Sequence, residues 1–296
     1  MDVKNGGTKR MLYMYGVTCQ GIFHKKNDEK CQDAHRIIKV DDRIIVAAVA
    51  DGLGSEKYSD IASEMAVEIS TMNCANNITT ESTKDDILRM IRNSFELSQS
   101  EIEKTAQDRG HSFDQYDTTL TLAVMVGDSL YFGHSGDSGI IAMNVDGSFS
   151  KITEQQRDAD GFVYPLCSRN RWEFKKYEKR VVSVLLATDG VLEIFFPVYI
   201  RNEKISIYTA LANFFMNPRI IDTQKGETVT EDRMSSFIES IPGEQISDDK
   251  TVVVLINTDT PYSLQPDIYY EEPDWSMLKR KYEEELINIL YPGLFQ

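Results

Sequence analysis

The chain has 296 residues, 41% of them hydrophobic and 27% charged, the composition of a soluble globular protein with room for one large domain or two ordinary ones. Its formal net charge of −15 argues against non-specific binding to nucleic acid or to an anionic membrane, because both need clustered positive charge. No segment approaches the ~18 to 20 uninterrupted apolar residues of a membrane span, and Met1 to Arg10 is polar, without the apolar core of a signal peptide. The four cysteines (Cys19, Cys31, Cys74, Cys167) lie far apart with no Cys-x-x-Cys spacing, so free thiols and a cytoplasmic setting are expected rather than disulfides or a zinc site.

In chain order, Leu12 to Thr18 and Ala34 to Val40 read as strands separated by a polar, loop-like stretch, Gly16 to Asp33. After the Asp41-Asp42 turn, Arg43 to Ala50 reads as a strand apolar enough to be buried on both faces. Ser59 to Asn73 and Ser82 to Ala106 place apolar residues at helical intervals, the second with Asp85 and Asp86 in its first turn. Thr119 to Val126, Leu130 to His134 and Gly139 to Asn144 follow as an antiparallel meander with Gly127-Asp128, Gly136-Asp137 and Asp146-Gly147 as turns. Lys151 to Arg180 is irregular and polar, with a basic cluster from Arg169 to Arg180, before the buried-type strand Val181 to Ala187. Helices are expected over Ile205 to Met216 and Arg233 to Ile241, and a last strand over Thr251 to Asn257. A Pro-containing linker, Pro261 to Pro273, leads to a charged helix around Trp275 to Leu290. Hairpins flanked by long helices argue for an α+β class built on a two-sheet core with helices outside, over residues 1–258, with a linker and helical extension over 259–296.

The chemistry lies at strand ends. The apolar run Val46 to Ala50 stops at Asp51-Gly52, Val181 to Ala187 stops just before Asp189-Gly190, and the last strand starts just after Asp248-Asp249. A fourth acidic turn, Gly136-Asp137-Ser138-Gly139, sits inside the meander. Taken singly, each is an ordinary turn. Together, carboxylates at strand ends beside glycines form a set of oxygen ligands suited to hard divalent cations such as Mg²⁺ or Mn²⁺.

These elements, in this order, resemble the metal-dependent protein serine/threonine phosphatases of type 2C, and compact bacterial-type members in particular. The residues that carry the resemblance are Cys31-Gln32-Asp33-Ala34-His35, Val49-Ala50-Asp51-Gly52-Leu53-Gly54, Asp117-Thr118-Thr119-Leu120, Gly133-His134-Ser135-Gly136-Asp137-Ser138, Leu185 to Glu193 and Ser247 to Val252. The resemblance spans roughly residues 12–257 and implies an α-β-β-α sandwich of two packed, mainly antiparallel sheets with helices on both outer faces. It further implies two Mn²⁺ or Mg²⁺ ions and a weaker third. Asp51 would bridge two ions, the Gly52 carbonyl would ligate one, and Asp189 and Asp248 would complete the site, with Asp248 preferred over Asp249. Asp33 would accept from a metal-held water, and Asp137 and Glu193 match the positions of the weaker ion. The implied reaction is direct hydrolysis of phosphoserine or phosphothreonine by a metal-bridging hydroxide, without a phosphoenzyme. The partners implied are phosphoprotein substrates and a cognate serine/threonine kinase or its targets.

Several positions depart from the family. Gln32 stands where many members have a metal-ligating glutamate; its amide oxygen remains a metal-ligand candidate. Asp28 stands where the phosphate-gripping arginine is usual, and His24, ahead of Lys25, Lys26 and Lys30, is the replacement chosen from the same loop. Leu53 replaces a histidine proposed elsewhere as general acid. These departures motivate an alternative, a pseudophosphatase or phosphoprotein-binding regulator of the same fold. His134 reads as a packed core histidine. The basic run Arg169 to Arg180 reads as a flap that either steers substrate or is a charged loop face, and the terminal helix as a cap or a partner site.

Overall fold

Ten strands and seven α-helices form among residues 12–290, the part of the chain that the computed structural model describes; the polar stretch Met1 to Arg10 lies outside it. One sheet has the order β1 (Leu12–Cys19), β10 (Lys250–Asn257), β9 (Val181–Ala187), β6 (Gly139–Asn144), β7 (Phe149–Lys151). The other has the order β2 (Asp33–Lys39), β3 (Ile44–Asp51), β4 (Leu120–Val126), β5 (Ser129–Ser135), β8 (Glu173–Lys176). Every pairing is antiparallel.

Strands β6, β9 and β10 are buried along their whole length, so both faces of their sheet must be covered. One face meets the other sheet across a layer that includes Ile45, Val49, Met125, Ile140, Leu186 and Leu255. The outer face of the second sheet is closed by α2 (Ser59–Asn77) and α3 (Lys84–Asp108), through Ala62, Ala66, Ile91 and Phe95. The outer face of the first is closed by α4 (Asp189–Phe195), α5 (Thr209–Met216) and α6 (Glu227–Ser240), through Phe195, Phe215, Met234 and Ile238. The result is the α-β-β-α sandwich. Helix α3 starts where Thr83 and Asp86 cap each other: the Asp86 N–H donates to Thr83 Oγ1 (3.2 Å) and the Thr83 N–H to Asp86 Oδ2 (3.1 Å). Helix α7 (Trp275–Leu290) rests on the turn Val198–Ile200 through an edge-on Tyr199–Tyr282 pair and the buried Leu278.

The structure corrects the sequence reading in six places. The meander is split: β4 and β5 pair in one sheet, whereas β6 crosses to the other and pairs with β9. The irregular stretch after Lys151 contains β8, which extends the second sheet beside β5. The polar loop before Asp33 holds a short helix, α1 (Ile22–Asn27), and α4 begins directly at Asp189. Helix α5 starts at Thr209, not Ile205, and α6 starts earlier than expected, at Glu227.

Candidate metal centre

Both sheets deliver acidic residues to the same end of the sandwich. At the end of β3, Asp51 is fixed by the backbone and by two threonines. Its N–H donates to Thr119 Oγ1 (2.9 Å), and its carbonyl accepts from the Thr119 N–H (2.8 Å) and the Thr118 hydroxyl (2.9 Å). This is the physical task of the Asp117-Thr118-Thr119 element. Directly across the β2–β3 pair from Asp51 lies Asp33, which accepts from the Thr188 hydroxyl at 2.7 Å.

The crossing of β6 between sheets positions Asp137. Gly136 has φ +109°, and a Cβ there would lie 2.5 Å from Thr119 Cγ2, so only glycine lets the turn close onto the threonine that holds Asp51. Asp189 opens α4 after Thr188, whose hydroxyl also accepts from the Thr251 N–H at 3.1 Å. Ahead of β10, Asp248 and Asp249 diverge. Asp249 is 3% exposed and accepts from the N–H groups of Gly21 and Gln32, both at 2.6 Å, with His24 Nδ1 at 2.9 Å. The Asp248 side chain is 58% exposed and faces the cavity.

Carboxylate oxygens of Asp51, Asp137 and Asp189 lie within 4.8 Å of one another, and ligand atoms of His24, Asp248 and Asp249 form a second such group. Both groups border one open cavity of about 460 Å³, whose wall also includes Gln32, Gly52, Leu53 and Arg157. The electrostatics differ sharply within it. Burial pushes Asp51 well above the usual carboxylate range, and the charges of Asp33 and Asp189 add to the rise. Asp33 is also raised well above that range by burial, against the Thr188 bond. Burial and the Asp189 charge raise Asp137 to about 7, although Arg157 opposes them. Burial also raises Asp248 and Glu193. Asp249 is the exception: burial pushes it up, but the Gly21 N–H, His24 and the Gln32 N–H together hold it below its ordinary value.

Such a group of carboxylates is costly unless a cation or protons neutralise it. Asp137 Oδ1 and Gln32 Oε1 are buried and have no hydrogen-bond partner. All-oxygen donors of this kind fit a hard divalent cation, and the cysteines take no part in either group.

Of the sequence-predicted residues, the fold brings Asp51, Asp137 and Asp189 into one group and sets Asp248, Gly52 and Gln32 on the same cavity wall. Asp33 lies buried behind them. Glu193 sits one turn beyond Asp189 on α4, exposed and outside the close group. His24 is buried on α1 with its Nδ1 turned to Asp249, so it helps anchor the loop that carries Gln32. Gly52 has a packing reason of its own, since a Cβ there would lie 2.6 Å from the Ser59 carbonyl oxygen at the start of α2. The basic run from Arg169 to Arg180 is engaged elsewhere: Arg169 meets Glu103, Arg171 donates to Tyr164, and Arg180 pairs with Asp128. His134 is fully buried between Thr121 Oγ1 and the Glu154 carbonyl, and burial lowers it to about 4.

Sequence reasoning missed Arg157. Its guanidinium reaches Asp137 Oδ2 at 2.5 Å and Asp189 Oδ2 at 3.1 Å. The one available signal was that Arg157 is the sole basic residue between Lys151 and Arg169, in a stretch with three acidic neighbours.

The Protein phosphatase 2C family matches residues 20–219, more than half of the chain. A search of curated proteins by sequence finds no match. Among solved structures, the chain is similar to the serine/threonine phosphatase Stp1 of Staphylococcus aureus, at 15% identity over 86% of this chain and 99% of that one, with a TM-score of 0.60. It is similar to the S. agalactiae serine/threonine phosphatase at 17% identity, covering 83% and 99%, with a TM-score of 0.58. It also resembles the catalytic domain of the phosphatase PstP in complex with two manganese ions, at 15% identity, covering 83% and 97%, with a TM-score of 0.55. At such identities these structures speak for the shared fold. The family match adds what fold alone does not, and the acidic cavity agrees with it: this chain belongs to the protein phosphatase 2C family and is a protein phosphatase.

Proposed function

We propose that the chain hydrolyses phosphoserine and phosphothreonine in proteins with two Mn²⁺ or Mg²⁺ ions, and that Asp51, Asp189 and Asp248 are their principal ligands. The observation that carries this reading is the convergence of oxygens from buried Asp137 and half-buried Asp51 and Asp189 within 4.8 Å of one another at the cavity. Asp51 would serve both ions in this reading, its backbone locked by Thr118 and Thr119. The Gly52 carbonyl and the Gln32 amide oxygen add neutral ligands, and Asp137 and Glu193 serve a weaker third ion. When bound, the cations supply Lewis acidity that activates water for in-line attack on phosphorus and offsets charge on the phosphoryl oxygens. The chain's own part is to hold these carboxylates against their repulsion, and to keep Asp33, through Thr188, where it can accept a proton from water. The open mouth admits a phosphorylated side chain on a protein surface. A cognate serine/threonine kinase, or its targets, is the natural source of such substrates, and a cytoplasmic setting fits a chain in which, among the described residues, no helix is long and apolar enough to cross a membrane.

The reading without turnover, a phosphoprotein-binding regulator, draws on Gln32, Asp28 and Leu53, but Asp51, Asp189 and Asp248, the acidic ligands on which turnover depends in this proposal, are all present. The test is hydrolysis of a phosphothreonine peptide with and without Mn²⁺. Wild-type protein is expected to show Mn²⁺-dependent turnover at least roughly a hundredfold above Asp189→Asn, the scale of losing a principal electrostatic element of a site. Equal rates for the two proteins would overturn the proposal.

A further inference from the structure

Arg157 stands in an unusual relation to the acidic group. It is the cation on the Asp137–Asp189 edge, in contact with one oxygen of each. A permanent buried ion pair normally has all its remaining hydrogen-bonding capacity satisfied, because a half-satisfied one is costly. This one does not. Asp137 is 2% exposed, yet its Oδ1 has no partner, whereas the Arg157 side chain is 36% exposed and open to the cavity mouth. One member of the pair is buried and incompletely served; the other has water within reach.

The backbone beneath Arg157 is held firmly. The Gln156 N–H donates to the Gly136 carbonyl (2.8 Å), the Tyr164 N–H to the Gln156 carbonyl (3.0 Å), and Gln155 Nε2 to the Asp137 carbonyl (3.2 Å). Arg157 itself faces Val163 across an isolated antiparallel bridge. Its Cα is therefore tied to the turn that carries Asp137, and only the side chain needs to move for the guanidinium to leave.

From this geometry we infer that Arg157 is a built-in competitor of divalent cation at the Asp137–Asp189 edge. It neutralises that edge when no ion is there and must be displaced for an ion to use both carboxylates. The inference rests on the phosphatase reading only in taking the ion as Mn²⁺ or Mg²⁺. A monovalent guanidinium offers fixed donors, whereas a divalent ion draws on every oxygen around it, including the unpartnered Asp137 Oδ1.

The test uses Arg157→Met, which keeps an unbranched apolar stem and removes the charge. Calorimetric titration of metal-free protein with Mn²⁺ is expected to give one additional ion, or a weakest site about tenfold tighter, which is the scale of one charge-assisted contact removed as competitor. Thermal unfolding should show a crossed pattern: Arg157→Met melts below wild type in chelator and at or above it in saturating Mn²⁺. Arg157→Lys, which retains the charge, should titrate like wild type. Superimposable isotherms for wild type and Arg157→Met, or an equal loss of melting temperature with and without Mn²⁺, would overturn the inference. If wild type itself takes up no Mn²⁺, the phosphatase reading fails instead, which separates the two.

Discussion

The two ends of the sandwich are built from the same sequence material and differ in what they do with it. At the metal end, Asp51-Gly52, Gly136-Asp137 and Asp189-Gly190 bring together one buried and two half-buried carboxylates. At the opposite end, Asp41-Asp42, Gly127-Asp128 and Asp146-Gly147 are equally acidic turns, and Asp42, Gly127 and Asp128 line a cavity of about 570 Å³, larger than the metal-end one. There each carboxylate is served locally. Asp41 Oδ1 accepts from the N–H groups of Arg43 and Ile44 (2.6 and 2.8 Å), Asp128 pairs with Arg180, and Asp146 accepts from Ser148. The Ser148 hydroxyl holds Asp146 below its ordinary value, whereas Asp137 is pushed up to about 7. An Asp-Gly turn is thus no site by itself. Burial, convergence and lack of local partners make it one.

The contrast has consequences of graded size. The largest concerns pH, because several carboxylates share it. In metal-free protein Asp51, Asp33 and Asp137 bind protons more tightly when folded than unfolded, so folding takes up protons between about pH 4, the ordinary carboxylate range, and about pH 7. Their contribution to stability is therefore greatest on the acid side of that window and is lost as pH rises through it. Denaturant unfolding in chelator should show stability falling from pH 5 to pH 7.5, and saturating Mn²⁺ should remove or reverse that slope by taking the place of the protons. A stability that climbs with pH in chelator would contradict the picture of an uncompensated acidic group.

A smaller effect separates anchored from surface acids. Asp249→Ala strips the N–H groups of Gly21 and Gln32 of a buried charged acceptor and should cost about 3 kcal/mol in chemical denaturation. Asp128→Asn, which breaks a part-exposed pair with Arg180, should cost under about 1 kcal/mol. Comparable losses would mean that the two ends are not built differently after all.

What was legible in the sequence follows the same division. The strands β3, β9 and β10 were plain because long apolar runs admit few other readings, and the acidic residues at their ends came with them. The crossing of β6 was not legible, since Gly136-Asp137 is as good a hairpin signal as Gly127-Asp128; only the fold decides that one turn joins neighbours and the other joins sheets. Helix α4 was hidden because Asp189 to Phe195 is seven residues long and rich in residues that suit a strand as well. Strand β8 was hidden because Glu173 to Lys176 is charged and has one neighbour, β5. Arg157 was missed for a related reason: its importance comes from the pinning of Gln155 and Gln156 to the Gly136–Asp137 turn, a long-range contact with no local pattern. Of the adjacent acids before β10, the family resemblance favoured Asp248 as the cation ligand. The burial of Asp249 under the N–H groups of Gly21 and Gln32, beside His24 Nδ1, adds a reason why two aspartates stand side by side.

The most direct measurement is calorimetric titration of Mn²⁺ into metal-free wild type, Asp51→Ala and Asp128→Ala, with circular dichroism on each to establish that the fold is retained. The account predicts that Asp51→Ala folds but no longer binds Mn²⁺, while Asp128→Ala binds as wild type does. Unchanged Mn²⁺ affinity in folded Asp51→Ala would contradict it.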